Sequence, residues 1–226
     1  MTTNYIYSYF RVSKLDAIHD SVQKYRGLRL KALQASPGSF ASTYETESAL
    51  PESEWMSRLT APGRETFICA ATLHHNSPTR SDTTEWIGQL TLRGPVSAQD
   101  FTLPVESGQP VQKLDEEEER WQMLSLFTLS EHRGNGLGTN LCREALDYLQ
   151  NYQKCPQAVQ VRLMVKPENQ VTVKLYQRLG FVKAGKCTLA EALIANGDKH
   201  LLPSDLSSPK WSTRQGLIMI FKILRE

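Results

Sequence analysis

The chain has 226 residues, four cysteines and a formal net charge of +2. That length suits a single domain spanning residues 1–226 with a sizeable core, and the near-neutral charge calls for no nucleic-acid or anionic-membrane partner. Cys69, Cys142, Cys155 and Cys187 form no C-x-x-C pair and the N-terminus has neither a basic start nor a long apolar run, so a cytoplasmic chain without a metal site, signal peptide or membrane span is expected.

Residues 5–12 alternate as a first strand. Residues 16–35 read as a helix with Ile18, Val22, Tyr25, Leu28, Arg29 and Ala32 near one face, stopped by Ser36, Pro37 and Gly38. Residues 40–50 read as a polar loop, and residues 51–59 as a short helix with Pro51 near its start. Two strands follow at 65–73 and 85–93, joined by a Ser/Thr/Asn-rich hairpin loop over 74–84. Residues 94–119 form a long connection that ends in the acidic run 115–119.

The next stretch carries the chemistry. An apolar strand over 124–129 runs into a turn holding Arg133, Gly134, Gly136 and Gly138, and Leu141, Ala145, Leu146 and Leu149 then recur at helical spacing. A glycine-rich turn lets backbone approach a ligand closely, and the helix start behind it offers unpaired N–H groups to a phosphate or pyrophosphate. The turn lacks the lysine of a P-loop, and its glycines run G-x-G-x-G, not the G-x-G-x-x-G of a dinucleotide fingerprint. The spacing present is R-x-x-G-x-G. Downstream come a strand at 158–165, a helix at 169–179 containing Asn169 and Tyr176 and ending in Leu179-Gly180-Phe181, and a strand candidate over 181–189. Residues 190–213 read as polar and irregular, and residues 215–224 close the chain as a buried strand.

The glycine turn, followed by strand, Asn169, helix, Tyr176 and Leu179-Gly180-Phe181, resembles the GNAT superfamily of acyl-CoA-dependent N-acetyltransferases over about residues 120–185. The element order β-α-α-β-β-β-α-β-α-β-β is the one expected of that fold, an α/β domain with a mixed, mostly antiparallel central sheet flanked by helices. The resemblance implies acetyl-CoA as cosubstrate and no metal. Its pyrophosphate would sit on the turn and helix start formed by Arg133, Gly134, Asn135, Gly136, Leu137, Gly138 and Thr139. Its pantetheine arm would lie along the strand at Leu126, Phe127 and Thr128. In this family that strand splays from the next one, so that a freed N–H, here of Leu126 or Phe127, polarises the acetyl carbonyl. Asn169 caps the helix or bonds a ligand amide, and Tyr176 is the expected acid for the departing thiolate. For the base that takes the amine proton the candidates are Glu47, after the first helix, and Glu119, just before the strand. Cys142 is expected to point into the core.

The implied activity is transfer of an acetyl group to a primary amine by direct attack in a ternary complex. A CoA-binding module without turnover, and a protein or peptide N-acetyltransferase, are the alternatives. The length of segments 40–59, 94–119 and 190–213 favours a closed pocket and a small-molecule amine. A homodimer through the last strands is compatible with the pattern.

Overall fold

The computed structural model describes residues 5–40, 42–73 and 83–226. The described strands form one seven-stranded sheet. β1 (Tyr5–Arg11) pairs antiparallel with β2 (Arg64–Leu73), β2 with β3 (Thr83–Arg93), and β3 with β4 (Glu118–Thr128). β4 and β5 (Ala158–Val165) run parallel. The sheet is completed by antiparallel pairing of β5 with β7 (Gly216–Leu224) and of β7 with β6 (Val182–Cys187). The strand order is therefore 1-2-3-4-5-7-6, and the sheet is mixed and mostly antiparallel, as expected.

A parallel pair needs a crossover, and α5 (Leu137–Asn151) supplies it. Its buried residues Leu137, Leu141, Cys142, Ala145, Leu146 and Leu149 form one apolar stripe that packs on β2 and β3. Phe67 and Cys69 of β2 join this cluster, whereas Ile68 between them turns to the other face. There it meets α1 (Ile18–Ala35) and α3 (Glu52–Thr60) through Val22, Tyr25, Trp55 and Leu59.

Three loop assignments are corrected. The segment 40–50 contains a short helix, α2 (Tyr44–Ser48), because the Thr43 hydroxyl accepts from the Thr46 amide and caps it. The connection 94–119 contains α4 (Ala98–Phe101), likewise capped by Ser97. The segment 190–213 holds α7 (Leu189–Asn196) and α8 (Pro209–Ser212). α7 begins with a capping box between Thr188 and Glu191 and ends at Gly197 with φ of 83°. It follows α6 (Gln170–Arg178) and β6, and it touches β4. The expected hairpin loop lies outside the described residues, apart from Thr83 and Thr84, which open β3.

The acidic run also reads differently once folded. Glu118 and Glu119 open β4, opposite Ala158 and Val159 of β5, and both are buried. Glu119 is buried because Arg225 reaches it at 2.6 Å, with Trp121 Nε1 donating at 2.5 Å and Gln153 a further donor. Arg225 also donates to the Leu149 carbonyl, so one ion pair ties the start of β4 to the end of α5 and the C-terminal strand. Removing one member of such a pair strands a buried charge. Glu119→Gln is expected to lower unfolding free energy by about 3 kcal/mol or more, read from urea denaturation midpoints; a change below ~1 kcal/mol would show that the pair contributes little.

Candidate active site

β4 and β5 are paired only from Glu118 to Gln122 and from Ala158 to Arg162. Beyond that point both strands continue, β4 to Thr128 and β5 to Val165, without pairing to each other. The cause is local. Ser125 and Leu126 together lie opposite Leu90, a bulge in which Ser125 adopts φ of 59°. A bulge bends the strand that carries it, and this one lies in the stretch of β4 that does not pair with β5. Leu124, Ser125, Leu126, Met164 and Val165 are accordingly only half-buried although they lie in the middle of the sheet.

Alternation decides which backbone groups face the opening. The Leu129 amide donates to the Ile87 carbonyl of β3, so the Phe127 amide two residues back also points to β3. Leu126, one residue earlier, belongs to the bulge, and both expected donors, Leu126 and Phe127, lie on this stretch of β4 beyond its pairing with β5. The Phe127 side chain is buried on the α1 face of the sheet, 6.1 Å from Phe40 between ring centres.

The glycine turn borders the same opening. Gly134 and Gly136 take φ of 88° and 72°, values that side-chain-bearing residues rarely adopt. Gly138 has a different reason: a Cβ there would stand 3.2 Å from Leu175 of α6 and 3.9 Å from Leu126 of β4. Three elements thus converge at one glycine. Gly136 caps α5 with no side-chain bond, so the first-turn amides of Leu137, Gly138 and Thr139 have no intrahelical acceptor. Asn135 is exposed and donates to the His132 carbonyl. Arg133 does not simply stand over this cradle as a cation. Its Nε donates to the Thr128 carbonyl at 3.1 Å and its guanidinium lies 5.7 Å from the centre of the Phe127 ring.

β1 braces the turn, which the sequence reading did not anticipate. Tyr5, Tyr7 and Tyr9 lie on one face by period-two alternation. The Tyr7 hydroxyl is 3.3 Å from Nδ1 of buried His132 and 3.4 Å from the Asn135 amide; Tyr9 accepts from Asn140 at 3.2 Å. The Y-x-Y-x-Y spacing was a legible signal, but its partner turn is more than 120 residues away.

Asn169 is the N-cap of α6, its carbonyl oxygen accepting from the Thr172 amide. Tyr176 lies on α6, buried against Phe181 at 5.6 Å. Burial pushes its phenol well above the ordinary range, with Cys142 adding to the shift. The Cys142 thiol is itself pushed up to about 12 by burial, which disqualifies it as a nucleophile at neutral pH.

Both expected bases are corrected. Glu119 is bound to Arg225 and lies seven residues from Leu126, roughly 23 Å along the strand. Glu47 is 1% exposed and receives Arg29 at 2.6 and 3.0 Å and Arg58 at 2.6 Å. Burial pushes the Glu47 carboxyl up, but the two arginines outweigh it and hold it below the usual carboxylate range, a poor state for accepting a proton.

No curated protein matches the chain by sequence. The profile of the acetyltransferase (GNAT) family matches residues 82–181, from β3 through the split strand and the glycine turn to the end of α6. Among solved structures, the fold is similar to the acetyltransferase of the GNAT family from Streptococcus pneumoniae, with a TM-score of 0.58 and 13% identity over 96% of this chain and 100% of that one. It is similar also to Arabidopsis thaliana NAA60 in complex with a bisubstrate analogue, with a TM-score of 0.53 and 14% identity over 97% of this chain and 100% of that one. An aminoglycoside N-acetyltransferase in complex with CoA gives a TM-score of 0.52 and 16% identity over 83% of this chain and 95% of that one. At these identities the structural likeness speaks for the fold alone, and the family likeness rests on residues 82–181, the part of the chain that holds the split strand and its glycine turn.

Proposed function

We propose that this protein transfers an acetyl group from acetyl-CoA to a primary amine of a small molecule, by direct attack in a ternary complex. The observation that carries the reading is the meeting of an unpaired strand edge with an anion cradle at Gly138. One requires a ligand to complete its backbone hydrogen bonds, and the other suits a pyrophosphate.

The donors left without acceptors fit that ligand. The amides from Gly134 to Thr139 would hold the pyrophosphate, with Arg133 beside them, and the Leu126 and Thr128 edge would pair with the amide-bearing arm. Asn169 would lend its free amide nitrogen to the same arm. When bound, acetyl-CoA supplies a thioester carbon open to an amine. The Leu126 amide stands as a fixed donor for the oxygen that gains negative charge during attack. As the new N–C bond forms and the C–S bond breaks, Tyr176 donates its phenolic proton to the departing sulfur. The amine proton leaves to water, since Glu47 and Glu119 are both committed to arginines. A small acceptor is favoured because Lys166, just beyond β5, donates to the Gly38 carbonyl and so ties the loop after α1 across the opening.

Two variants test this. Gly136→Val forces a β-branched residue into positive φ, which costs about 1–3 kcal/mol. Acetyl-CoA affinity is expected to fall about 10-fold or more by calorimetric titration; unchanged affinity would remove the turn from the site. Tyr176→Phe is expected to lower kcat by about 100-fold or more, with acetyl-CoA affinity retained. The readout is free-thiol release across polyamines, amino sugars, amino acids, arylamines and short peptides. Because burial raises the Tyr176 phenol, its acidic form persists to alkaline pH, and kcat should show no tyrosine-linked fall below pH ~10. Binding of acetyl-CoA with no release from any amine would move the reading to a CoA-binding module without turnover.

A further inference from the structure

The face of the sheet opposite α5 holds polar atoms that the transfer chemistry does not use. Gln89 of β3 is fully buried, and neither its amide nitrogen nor its amide oxygen has a hydrogen-bond partner among the described residues. It lies opposite Phe127 in the β3–β4 register, a cross-strand distance of roughly 5.5 Å between Cα atoms. Arg29 is 7% exposed; its Nε and Nη2 bond Glu47, while its Nη1 is buried and unpartnered. Its guanidinium stacks 4.5 Å from the Phe40 ring centre, and Phe40 in turn packs on Phe127. The Ser42 hydroxyl, two residues after Phe40, is likewise buried without a partner. Buried polar groups are nearly always satisfied, so several unsatisfied ones around one aromatic pair beside the opening indicate a polar ligand.

The sign of the local charge says which kind. Arg29 and Arg58 share the carboxylate of Glu47, and Asp198 is the further acidic group that acts on Arg29. Arg162 sits at the fork, opposite Gln122, the last β4 residue paired to β5. It is 1% exposed and bonds Gln122, Gln109 and the Phe101 carbonyl, with no carboxylate within ion-pair distance among the described residues. A buried cation without a carboxylate partner disfavours a polycationic acceptor and favours an anionic one.

We propose that the acceptor is a small amine that also bears a carboxylate, such as an amino acid, and that Arg29, Gln89 and Ser42 receive that carboxylate on the α1 side of the opening. The inference rests on the transfer reading above. Nη1 of Arg29 and the Gln89 nitrogen donate to the carboxylate oxygens, and the amine is left free to approach the thioester beside Leu126.

The test compares L-amino acids, their carboxamides and spermidine as acceptors in acetyl-CoA-dependent thiol release, for the wild type and Gln89→Leu. Wild type is expected to favour amino acids over carboxamides by about 100-fold or more in kcat/KM. In Gln89→Leu that ratio should collapse towards unity while the KM for acetyl-CoA holds. Thermal stability should hold or rise in this variant, because an unpartnered buried amide is removed. Preference for carboxamides or spermidine, or an unchanged ratio in the variant, would overturn the proposal and leave the transfer reading intact. If no amine supports release, N-acetylated amino acids are titrated against CoA-loaded protein. A rise in Tm that Gln89→Leu abolishes keeps the carboxylate site and removes the transfer, whereas no rise removes both.

Discussion

Past Gln122 the fourth strand has a neighbour on one side only. A strand edge inside a sheet is an unstable arrangement, because each exposed N–H and C=O seeks a partner and the next strand is close by. The chain prevents closure by placing two residues, Ser125 and Leu126, where β3 offers one, Leu90. The bend lies in the stretch where β4 and β5 do not pair. Everything else described here is arranged around that opening.

Its closed end and its open end are held by different physics. At the closed end Glu119 and Arg225 form a buried ion pair linking β4, α5 and the C-terminal strand. At the open end contact is apolar and close: Leu126, Leu175 and the bare Cα of Gly138 meet where α5 begins. The helix thus presents its unpaired first-turn amides at the mouth of the gap. The hydroxyls of Tyr7 and Tyr9 fix the turn from the first strand, which the sheet brings alongside although it is distant in sequence.

The two faces of the opening differ in electrostatic character. On the α5 and α6 side the environment is apolar with one buried phenol, Tyr176. On the α1 side lie buried arginines, among them Arg29, held by Glu47, and Arg162, which bonds no carboxylate among the described residues. Glu47 is consumed in holding Arg29 and Arg58, so it acts as a strut. The proposed division of labour follows this contrast: backbone and phenol toward the thioester, cationic side chains toward the acceptor.

Local pattern alone determined most of the elements and the cofactor turn. The strand at 158–165 and the helix ending at Ala35 are found where period and stop signals place them, because those signals are carried by neighbouring residues. The R-x-x-G-x-G turn was legible because positive φ and a close helix approach both demand glycine at fixed offsets. The α7 helix was missed despite its Thr188–Glu191 capping box, since an apolar run without a polar face shows no helical period. What only the tertiary structure decided is which charges are spent. Glu47 and Glu119 look like free carboxylates in the sequence, and each is claimed by an arginine at least 11 residues away. Likewise Gln89 reads as an ordinary strand residue until the fold buries it beside Phe127. Pairing and burial depend on contacts between distant segments, and no local pattern records them.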